Sequence, residues 1–389
     1  MSKNNNNTPR LRFPGFTGEW VEKKLGELLT YEQPTPYLVT DTNYKKSGIP
    51  VLTAGKTFIL GYTDETHGVY DNLPVIIFDD FVTESKFVDF PFKVKSSAMK
   101  MLKLLDENNN LHLIYELMQL LQYPVKEHKR YWISEYSRLT IPLPPSPAEQ
   151  QKIASCLSAM DDLIAAQAEK VEALKEKKTG LMQQLFPQPG ETTPRLRFPG
   201  FTGEWVECTL GEVGDVCMCK RVMKGETNST SGIPFYKIGT FGKTPDAYIP
   251  KELFLEYKKR YSYPSKGDIL FSAAGTIGRC VVFDGEPAYF QDSNIVWISN
   301  DEKKVHNSFL KYIYSFVDWK IDDGGIVKRL YNDSIRKTSF LKPSLEEQQK
   351  IADCLSELDD LIASETKQLE ALKDHKKGLM QQLFPQPAK

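Results

Sequence analysis

The stretch EQQKIASCLSAMDDLI, residues Glu149–Ile164, recurs 198 positions later as EQQKIADCLSELDDLI, residues Glu347–Ile362. Each copy begins a run in which seam residues alternate at spacings of four and three, the repeat of a heptad. Pro147 stands near the first start, and Pro187 and Pro385 follow the last apolar residues. The pattern predicts two helices of about 40 residues, each on the order of 60 Å long. The seam residues are Ile153, Leu157, Met160, Ile164, Gln167, Val171, Leu174, Lys178, Leu181 and Leu185, and Ile351, Leu355, Leu358, Ile362, Glu365, Leu369, Leu372, Lys376, Leu379 and Leu383.

The two helices are predicted to pair with each other. A lone helix with one apolar stripe is only marginally stable in water, and the two stripes match. Chain order makes the compact pairing antiparallel, with a globular region at each end and a pseudo-twofold relation between the halves. The alternative is that each helix packs on its own globular domain. The sequence therefore favours an α+β protein in which a long antiparallel two-helix coiled coil separates two similar mixed α/β domains.

A second repeat opens each half of the chain. LRFPGFTGEW begins at Leu11 and again at Leu196, inside identical runs over 8–22 and 193–207. The two opening runs lie 185 positions apart, so the second variable region is the longer one. Such a long period indicates a domain duplication. The predicted organisation is a disordered lead over 1–7, a globular domain over 8–145, a helix over 146–189, a second globular domain over 190–342 and a second helix over 343–389.

The two variable regions share signals of a mixed α/β fold. In the second region, Gly267–Phe283 has the pattern of a strand, a glycine-bearing turn and a second strand. SGIP occurs in both regions, at Ser47–Pro50 and Ser231–Pro234. The remaining predicted strands are Pro74–Phe81, Lys86–Lys95 and Asn294–Ile298, and helical stretches are predicted near Leu111–Leu121 and Phe309–Phe316.

Composition restricts the class of protein. Hydrophobic residues make up 40% and charged residues 26% of 389, a balance typical of globular domains. No apolar run approaches the roughly 20 residues that span a bilayer, and the polar start lacks a signal-peptide core, so a cytoplasmic location is expected. Six cysteines without framework spacing fit a reducing compartment. The net charge of −1 hides a division, because the helical segments are acidic and the remaining residues carry a net +4.

The sequence offers no candidate active site. Cys217 and Cys219 lie close to Cys208, but zinc takes four ligands and no second cluster accompanies them. Neither a glycine-rich cofactor loop nor an amino-methylation motif of the Asn-Pro-Pro-Tyr type is present. The expectation is therefore a binding module without a catalytic residue or a metal ligand.

Basic residues beside small ones on turns are the best candidates for nucleic-acid contact. SAAGTIGR, Ser272–Arg279, places hydroxyls and an arginine on a glycine-bearing turn that a DNA backbone could approach. KVKSSAMK, Lys93–Lys100, is interpreted as its rough counterpart, and GGIVKRLY, Gly324–Tyr331, adds two cations. The alternative for each is a solvated strand end. The predicted DNA-binding residues are Lys86, Lys93, Lys95, Lys100, Ser272, Thr276, Arg279, Lys328 and Arg329.

Taken together, these motifs resemble the specificity subunit of type I restriction-modification systems. The resemblance covers nearly the whole chain and rests on the opening run, on GDILFSAAGTIGR, on IIFDDF followed by FVDFPFKVKSSAMK, and on EQQKIA with LSELDDLI. It implies two target-recognition domains that each read half of a split site in double-stranded DNA, and two conserved spacer helices. It also implies assembly with two adenine methyltransferase subunits and with ATP-dependent restriction subunits. S-adenosylmethionine, ATP and magnesium then belong to the partners.

The outer faces of the helices are predicted to bind the methyltransferase subunits, because a coiled coil alone requires only its seam. The matching acidic residues are Glu149, Asp161, Asp162, Glu347, Asp359 and Asp360. Two other functions remain open at this point. One is a coiled-coil scaffold whose globular ends bind proteins, and the other is an autonomous tandem DNA-binding regulator.

Overall fold

The computed structural model describes residues 7–53, 57–121, 123–125, 129–319 and 329–385. These residues form two compact units. Unit 1 comprises Met1–Glu169 with Thr366–Lys389, and unit 2 comprises Lys170–Glu365. The predicted disordered lead falls almost wholly outside the described residues; Asn7, which is described, accepts a backbone hydrogen bond from Trp20 at 2.8 Å. Lys328 also lies outside them.

The first half of the chain contains nine strands and three α-helices among the described residues. Short 3-10 turns occur at Thr35–Tyr37 and Tyr136–Arg138. The strands are β1 (Val21–Lys24), β2 (Leu29–Glu32), β3 (Ile49–Leu52), β4 (Ile59–Thr63), β5 (Val75–Asp79), β6 (Ser85–Val88), β7 (Lys93–Val94), β8 (Met99–Leu104) and β9 (Thr140–Leu143). The helices are α1 (Leu25–Leu28), α2 (Leu111–Gln119) and the long α3 (Pro147–Leu185).

The second half repeats this plan. A 3-10 turn occupies Lys224–Glu226. The strands are β10 (Val206–Thr209), β11 (Gly214–Cys217), β12 (Ile233–Tyr236), β13 (Tyr248–Ile249), β14 (Ile269–Ser272), β15 (Cys280–Val282), β16 (Tyr289–Phe290), β17 (Ile295–Asn300) and β18 (Ser339–Lys342). The helices are α4 (Leu210–Val213), α5 (Lys251–Arg260), α6 (Asn307–Ile313), α7 (Asn332–Lys337) and the long α8 (Leu345–Leu383).

Sheet topology shows that the two globular domains share one fold. The four-stranded sheet has the order β2-β8-β5-β6 in unit 1 and β11-β17-β14-β15 in unit 2. The three-stranded sheets β4-β3-β7 and β13-β12-β16 also correspond, and each contains one parallel pair, β3 with β7 and β12 with β16. Each unit also has a two-stranded sheet, formed by β1 and β9 in unit 1 and by β10 and β18 in unit 2. Most of the two regions differ in sequence, so their apolar patterns, not their identities, specify this shared topology.

Two details depart from the sequence-based assignment. Lys86–Lys95 forms two strands instead of one, because β6 joins the four-stranded sheet whereas β7 pairs with β3, and Pro91 lies between them. Helix α5 has no counterpart among the described residues of unit 1, and it accounts for most of the extra length of the second region. Gly267–Phe283 does form the predicted strand–turn–strand, with β14 antiparallel to β15.

The long helices pack in antiparallel fashion within each unit. In unit 1, Ile153 and Leu157 of α3 share an apolar cluster with Met380 and Leu383 of α8. In unit 2, Leu185 shares a cluster with residues of the first turns of α8, namely Ile351, Ala352 and Leu355. Every predicted seam residue is buried or partly buried. The antiparallel prediction is therefore confirmed within each unit, and the helix starts also pack into the domain cores.

The apolar cores follow the sheets. In unit 1, one cluster lies between the four-stranded sheet, α2 and the helix ends, and another lies between the two larger sheets. Unit 2 has two equivalent clusters. Within the described ranges, no helix combines the length and apolar character needed to cross a membrane.

Candidate functional site

The first copy of the opening run is bonded to the first turn of one long helix, α3, and to the last turn of the other, α8. Arg12 forms a bidentate ion pair with Glu149 in the first turn of α3, with Nε–Oε1 at 2.7 Å and Nη2–Oε2 at 2.8 Å. The backbone N–H of Leu11 donates to the carbonyl of Gln382 in the last turn of α8, at 2.9 Å. Arg12 also donates to the carbonyls of Thr17 and Gly18, which fixes the loop of the run itself. We call this arrangement the joint.

Unit 2 contains the same joint. Arg197 pairs with Glu347 through Nε–Oε1 at 2.8 Å and Nη2–Oε2 at 2.7 Å. Leu196 donates its backbone N–H to the carbonyl of Gln184 at 2.9 Å. The identical runs therefore perform the same structural task in both halves, and they do so with the same atoms.

The joint corrects the prediction that Glu149 and Glu347 lie on an exposed docking face. Both glutamates are 1% exposed, and both oxygens of each carboxylate are held by an arginine. A buried carboxylate requires such a partner, because its ionised form is costly to desolvate. These two residues build the joint and are not accessible to another subunit.

Asp161 belongs to a partly buried ionic cluster in unit 1. Lys376 of α8 donates from Nζ to Asp161 Oδ1 at 2.6 Å and to Glu116 Oε1 at 2.8 Å. His112 Nε2 lies 3.6 Å from Asp161 Oδ2. Burial raises the pKa of Glu116 despite the hydrogen bond from Lys376. Burial also acts upward on Asp161, but the hydrogen bonds from His112 and Lys376 outweigh it and lower the pKa of that carboxyl.

Asp359 occupies the equivalent position in unit 2, with different neighbours. Its carboxylate accepts hydrogen bonds from Lys178 Nζ, from Lys311 Nζ at 2.7 Å and from Tyr312 Oη at 2.9 Å. Burial acts upward on this carboxyl, but the three donors prevail and the pKa of Asp359 is lowered. Lys178 and Lys376 are the lysines of the predicted seam, so each helix contributes one aspartate and one lysine to these contacts.

The cluster in unit 1 has the donor types of a metal site. The possible ligand atoms of His112, Glu116 and Asp161 lie within 4.8 Å of one another. The ammonium of Lys376, however, already lies within hydrogen-bond distance of both carboxylates and offsets part of their charge. A metal ion would have to displace this lysine, so we assign the cluster a structural role at the contact of α2 with the long helices.

The acidic residues that remain exposed form a small patch in each half. Asp162 and Asp360 are exposed, and each is followed by an exposed leucine, Leu163 at 54% and Leu361 at 41%. We call these two pairs the outer patches. Of the six acidic residues predicted to bind a partner, Asp162 and Asp360 are thus the two whose side chains are fully available.

The lysines predicted to contact DNA in unit 1 divide into two groups. Lys86 and Lys95 are exposed. Lys93 is buried and binds Glu65 Oε2 at 2.8 Å and the carbonyl of His67 at 2.7 Å, so it is not available to a phosphate. Lys100 is also buried, with Nζ 3.2 Å from Asp80 Oδ2. The prediction for Lys93 and Lys100 is therefore corrected, because alternation along β7 and β8 did not reveal that both point into the domain.

In unit 2 the predicted turn is held by hydrogen bonds within itself. Ser272 is buried, and its hydroxyl accepts from the backbone N–H of Arg279 at 2.9 Å and donates to the carbonyl of Thr276. Ser272 therefore shapes the turn and is not available to DNA. The side chain of Thr276 is exposed at the tip, and Arg279 Nη1 donates to the carbonyl of Phe241 at 3.2 Å. Gly275 has φ of 68°, which suits glycine at the tip of such a turn.

Topology also corrects the proposed counterpart of this turn. Ser272–Arg279 connects β14 to β15, so its equivalent in unit 1 is the connection from β5 to β6, Asp80–Glu84. Lys93–Lys100 instead spans β7 to β8 and corresponds to the segment from β16 to β17. The two segments were matched because both contain small and basic residues, and that comparison did not take strand order into account.

Sequence reasoning selected Arg329 and missed Arg130. Arg329 precedes Leu330, whose backbone N–H donates to the carbonyl of Ala273 at 2.8 Å. Arg130 precedes Tyr131, whose N–H donates in the same way to the carbonyl of Asp80 at 2.9 Å. The two arginines thus occupy equivalent positions. The shared Lys-Arg dipeptide, at 129–130 and 328–329, was the signal that could have found Arg130.

Comparison with known proteins decides the family. A family model described as the type I restriction modification DNA specificity domain matches residues 17–176 and again 202–374. The chain belongs to the type I restriction-modification specificity family. The two matches of this specificity-subunit family coincide with the two halves of the chain.

Relatives of this specificity subunit support the same assignment. The chain is 33% identical over 390 residues to the specificity subunit of type I restriction enzyme EcoR124I/EcoR124II from Escherichia coli, covering 91% of this chain and 90% of the relative. It is 58% identical over 160 residues to a putative type I restriction enzyme specificity subunit from Haemophilus influenzae, covering 41% of this chain and 42% of that relative.

Solved structures agree on the fold of this specificity subunit. The crystal structure of a type I restriction-modification S subunit from M. genitalium has a TM-score of 0.67 at 17% identity, covering 98% of this chain and 100% of that one. A chain from a study of complex assembly and conformational transition of the type I R-M system has a TM-score of 0.50 at 19% identity, covering 96% and 98%.

Proposed function

We propose that this protein is the DNA-recognition subunit of a type I restriction-modification complex and reads an asymmetric, bipartite site in double-stranded DNA. The observation that carries the proposal is that the chain contains two domains with the same topology and identical joints. The loops at the ends of their strands, however, differ in sequence. A shared frame with different loops is the arrangement expected when two domains read different base sequences in the same way.

Chemistry on the DNA is assigned to partner subunits. The sequence has neither a glycine-rich cofactor loop nor an amino-methylation motif, and the joints and ionic clusters use their charged groups in mutual contacts. S-adenosylmethionine would bind to two adenine methyltransferase subunits, and ATP and magnesium to the restriction subunits. This subunit would itself be non-catalytic and would supply the choice of site.

The outer patches are the surfaces that we assign to the methyltransferase subunits. Each presents an exposed aspartate beside an exposed leucine at the same position of a long helix, Asp162 with Leu163 and Asp360 with Leu361. Two equivalent patches on one chain fit two copies of one partner. A leucine that contributes apolar area beside a charged rim is a common composition for a protein interface.

A domain exchange tests the proposed recognition. Residues 26–143 would be replaced by the corresponding region of another family member, and methylated adenines would be mapped by long-read sequencing in cells that also contain the methyltransferase subunit. One half of the methylated motif should change and the other should stay the same. Replacement of 211–342 is the matched control and should change only the other half. A change in both halves from a single replacement would contradict the modular assignment.

Gel-shift experiments separate this function from the two alternatives. The full chain would be tested on a duplex that carries the mapped motif, with and without the methyltransferase subunits. A DNA-recognition subunit should bind tightly and specifically only in the complex. A scaffold would give no shift in either case, and an autonomous regulator would give a complete, specific shift alone.

A further inference from the structure

We propose that Arg130 and Arg329 make equivalent, sequence-independent contacts with DNA phosphate, and that the turn beside each arginine, β5–β6 in unit 1 and β14–β15 in unit 2, reads the bases. The inference rests on the proposed DNA-recognition function. It adds that residues shared by the two domains contact phosphate, whereas residues that differ between them contact the bases.

In unit 1, three distant parts of the chain meet at Asp80, the residue after β5. The backbone N–H of Asp80 donates to the carbonyl of Ala98 at 3.2 Å, which holds the β7–β8 loop. The carbonyl of Asp80 accepts from the N–H of Tyr131 at 2.9 Å, which holds the segment that carries Arg130. The β5–β6 turn begins at the same residue. We call this meeting point the strand-end junction.

Unit 2 has the same strand-end junction at Ala273, the residue after β14. Its N–H donates to the carbonyl of Asn294 at 2.8 Å, and its carbonyl accepts from the N–H of Leu330 at 2.8 Å. The β16–β17 loop and the segment of Arg329 are thereby held beside the β14–β15 turn. The backbone hydrogen bonds are the same in both units although Asp80 and Ala273 are different residue types.

Side chains at the junction fall into two classes. By strand register, Ser97 in unit 1 is the equivalent of Ser293 in unit 2, and by the junction bonds Arg130 is the equivalent of Arg329. The residue type is therefore the same in both units at these two positions. The turns differ: Asp80–Glu84 follows β5, and the longer Ala273–Arg279 follows β14. Contacts to phosphate position a protein on any duplex, whereas contacts to base edges carry sequence information. Identical residues therefore suit the first role and variable turns the second.

The side chains of Arg130 and Arg329 are in positions to bind an anionic ligand. Arg130 is exposed, and Arg329 is partly exposed with Nη2 donating to the carbonyl of Ser293 at 2.9 Å. Neither arginine has a carboxylate partner among the residues that the structure describes. Arg12 and Arg197, by contrast, are bound to glutamates in the joints. A guanidinium that is not neutralised and whose fork is oriented by one bond can donate to a phosphate through its remaining N–H groups.

The turn of unit 2 supplies a candidate for base reading. Thr276 is exposed at its tip, and the Ser272 hydroxyl bonds hold the backbone on either side. A hydroxyl and a methyl group on a fixed turn can contact the edge of a base pair in a groove. Because the Thr276 contact to Ser272 uses the main-chain carbonyl, replacement of the side chain leaves the turn geometry intact.

The test measures salt dependence and sequence preference together. Arg130→Ala and Arg329→Ala would be prepared in the full chain with its methyltransferase subunits. Fluorescence anisotropy over a series of KCl concentrations would use a duplex of random sequence and one that carries the mapped motif. Each variant should bind both duplexes roughly tenfold more weakly. Each should also lower the slope of log affinity against log salt by about 0.9 and leave the methylated motif unchanged.

Matched variants separate the possible outcomes. Arg10→Ala and Arg195→Ala remove exposed arginines at equivalent positions of the opening runs and should leave the slope unchanged. Arg329→Lys should retain the slope, because it retains the charge. Thr276→Ala should relax one half of the motif without altering the slope. An unaltered slope in Arg130→Ala and Arg329→Ala, or a change of motif in either, would overturn the inference. Failure of the wild-type complex to bind either duplex would instead reject the proposed function.

Discussion

Arg12 and Glu149 are separated by 137 positions in the chain and form a two-point ion pair with 1% of the glutamate side chain exposed. Arg197 and Glu347 repeat the pair with nearly the same distances. Each pair attaches a loop near the start of a globular domain to the first turn of the long helix that follows the domain. The geometry explains why the opening run is conserved between halves that otherwise differ, and it yields a test of stability.

Glu149→Gln should destabilise the protein by about 3 kcal/mol, because it leaves the guanidinium of Arg12 beside a neutral amide in a largely buried site. Glu347→Gln is the matched variant and should give a similar loss. Urea unfolding followed by circular dichroism measures both, through the shift in midpoint. Arg12→Lys should also destabilise, since an ammonium cannot reproduce the two parallel bonds. Unchanged midpoints in both glutamine variants would show that the pairs contribute nothing.

Asp359→Asn should destabilise more than Asp161→Asn. Asp359 is 24% exposed and accepts from Lys178, Lys311 and Tyr312, whereas Asp161 is 40% exposed and more open to solvent screening. Loss of the carboxylate charge therefore leaves two lysines uncompensated in unit 2. The two variants would be compared by urea midpoint under the same conditions. An equal or reversed order would contradict this reading of the two clusters.

The carboxyls of the two clusters should make the free energy of unfolding depend on pH in opposite directions, because the pKa values of some are lowered and that of one is raised. The pKa values of Asp161 and Asp359 are lowered in the folded protein, so their contribution is present above the ordinary aspartate pKa of 3.8 and is lost as pH falls further. Asp359→Asn should therefore cost stability at neutral pH, and this cost should shrink as the pH falls through the folded pKa of Asp359, because the wild-type carboxylate then becomes protonated.

Glu116 should show the reverse behaviour. Burial raises its pKa in the folded protein, so its neutral form is favoured and stability is lost as pH rises through the folded pKa. Glu116→Gln imitates the neutral form. Relative to wild type it should gain stability as the pH is raised from acidic to neutral, as measured by urea midpoints across a pH series. A relative loss over that range would mean that the ion pair with Lys376 dominates.

Reversal of charge at the outer patches should weaken assembly without unfolding the chain. Asp162→Lys and Asp360→Lys change exposed residues, so the urea midpoint should stay within experimental error. Native mass spectrometry of the co-expressed complex should then show one methyltransferase subunit instead of two for each single variant, and none for the double variant. Asp161→Lys and Asp359→Lys are unsuitable for this purpose because they would break the ionic clusters. Retention of two subunits by the double variant would reject the assignment of the patches.

Periodicity predicted the long helices well, because every seam position from Ile153 to Leu185 is buried or partly buried. It could not predict which polar residues would be buried. Glu149 and Asp162 are both acidic residues near matching motifs, yet the first is held by Arg12 from a distant loop and the second is exposed. Such a distinction depends on contacts across more than 100 positions, which a local pattern does not contain.

The candidate DNA-binding residues show the same limit. Lys93 and Lys95 are neighbours on one short segment, but Lys93 points inward to Glu65 while Lys95 is exposed. The Lys-Arg dipeptide that contains Arg130 was visible in the sequence, but strand order was needed to show that it corresponds to the dipeptide of Arg329. Composition located basic turns, and topology was needed to decide which of them are equivalent.

At the level of the gene, the joints make the opening run a suitable place for crossover. A recombination event within the DNA that encodes 8–22 or 193–207 would deliver a different variable region between unaltered ends. The arginine of the run would still meet the glutamate of the next helix, and the leucine N–H would still meet the last turn of the other helix. New DNA specificities could thus arise by exchange of whole domains, without a compensating mutation elsewhere in the chain.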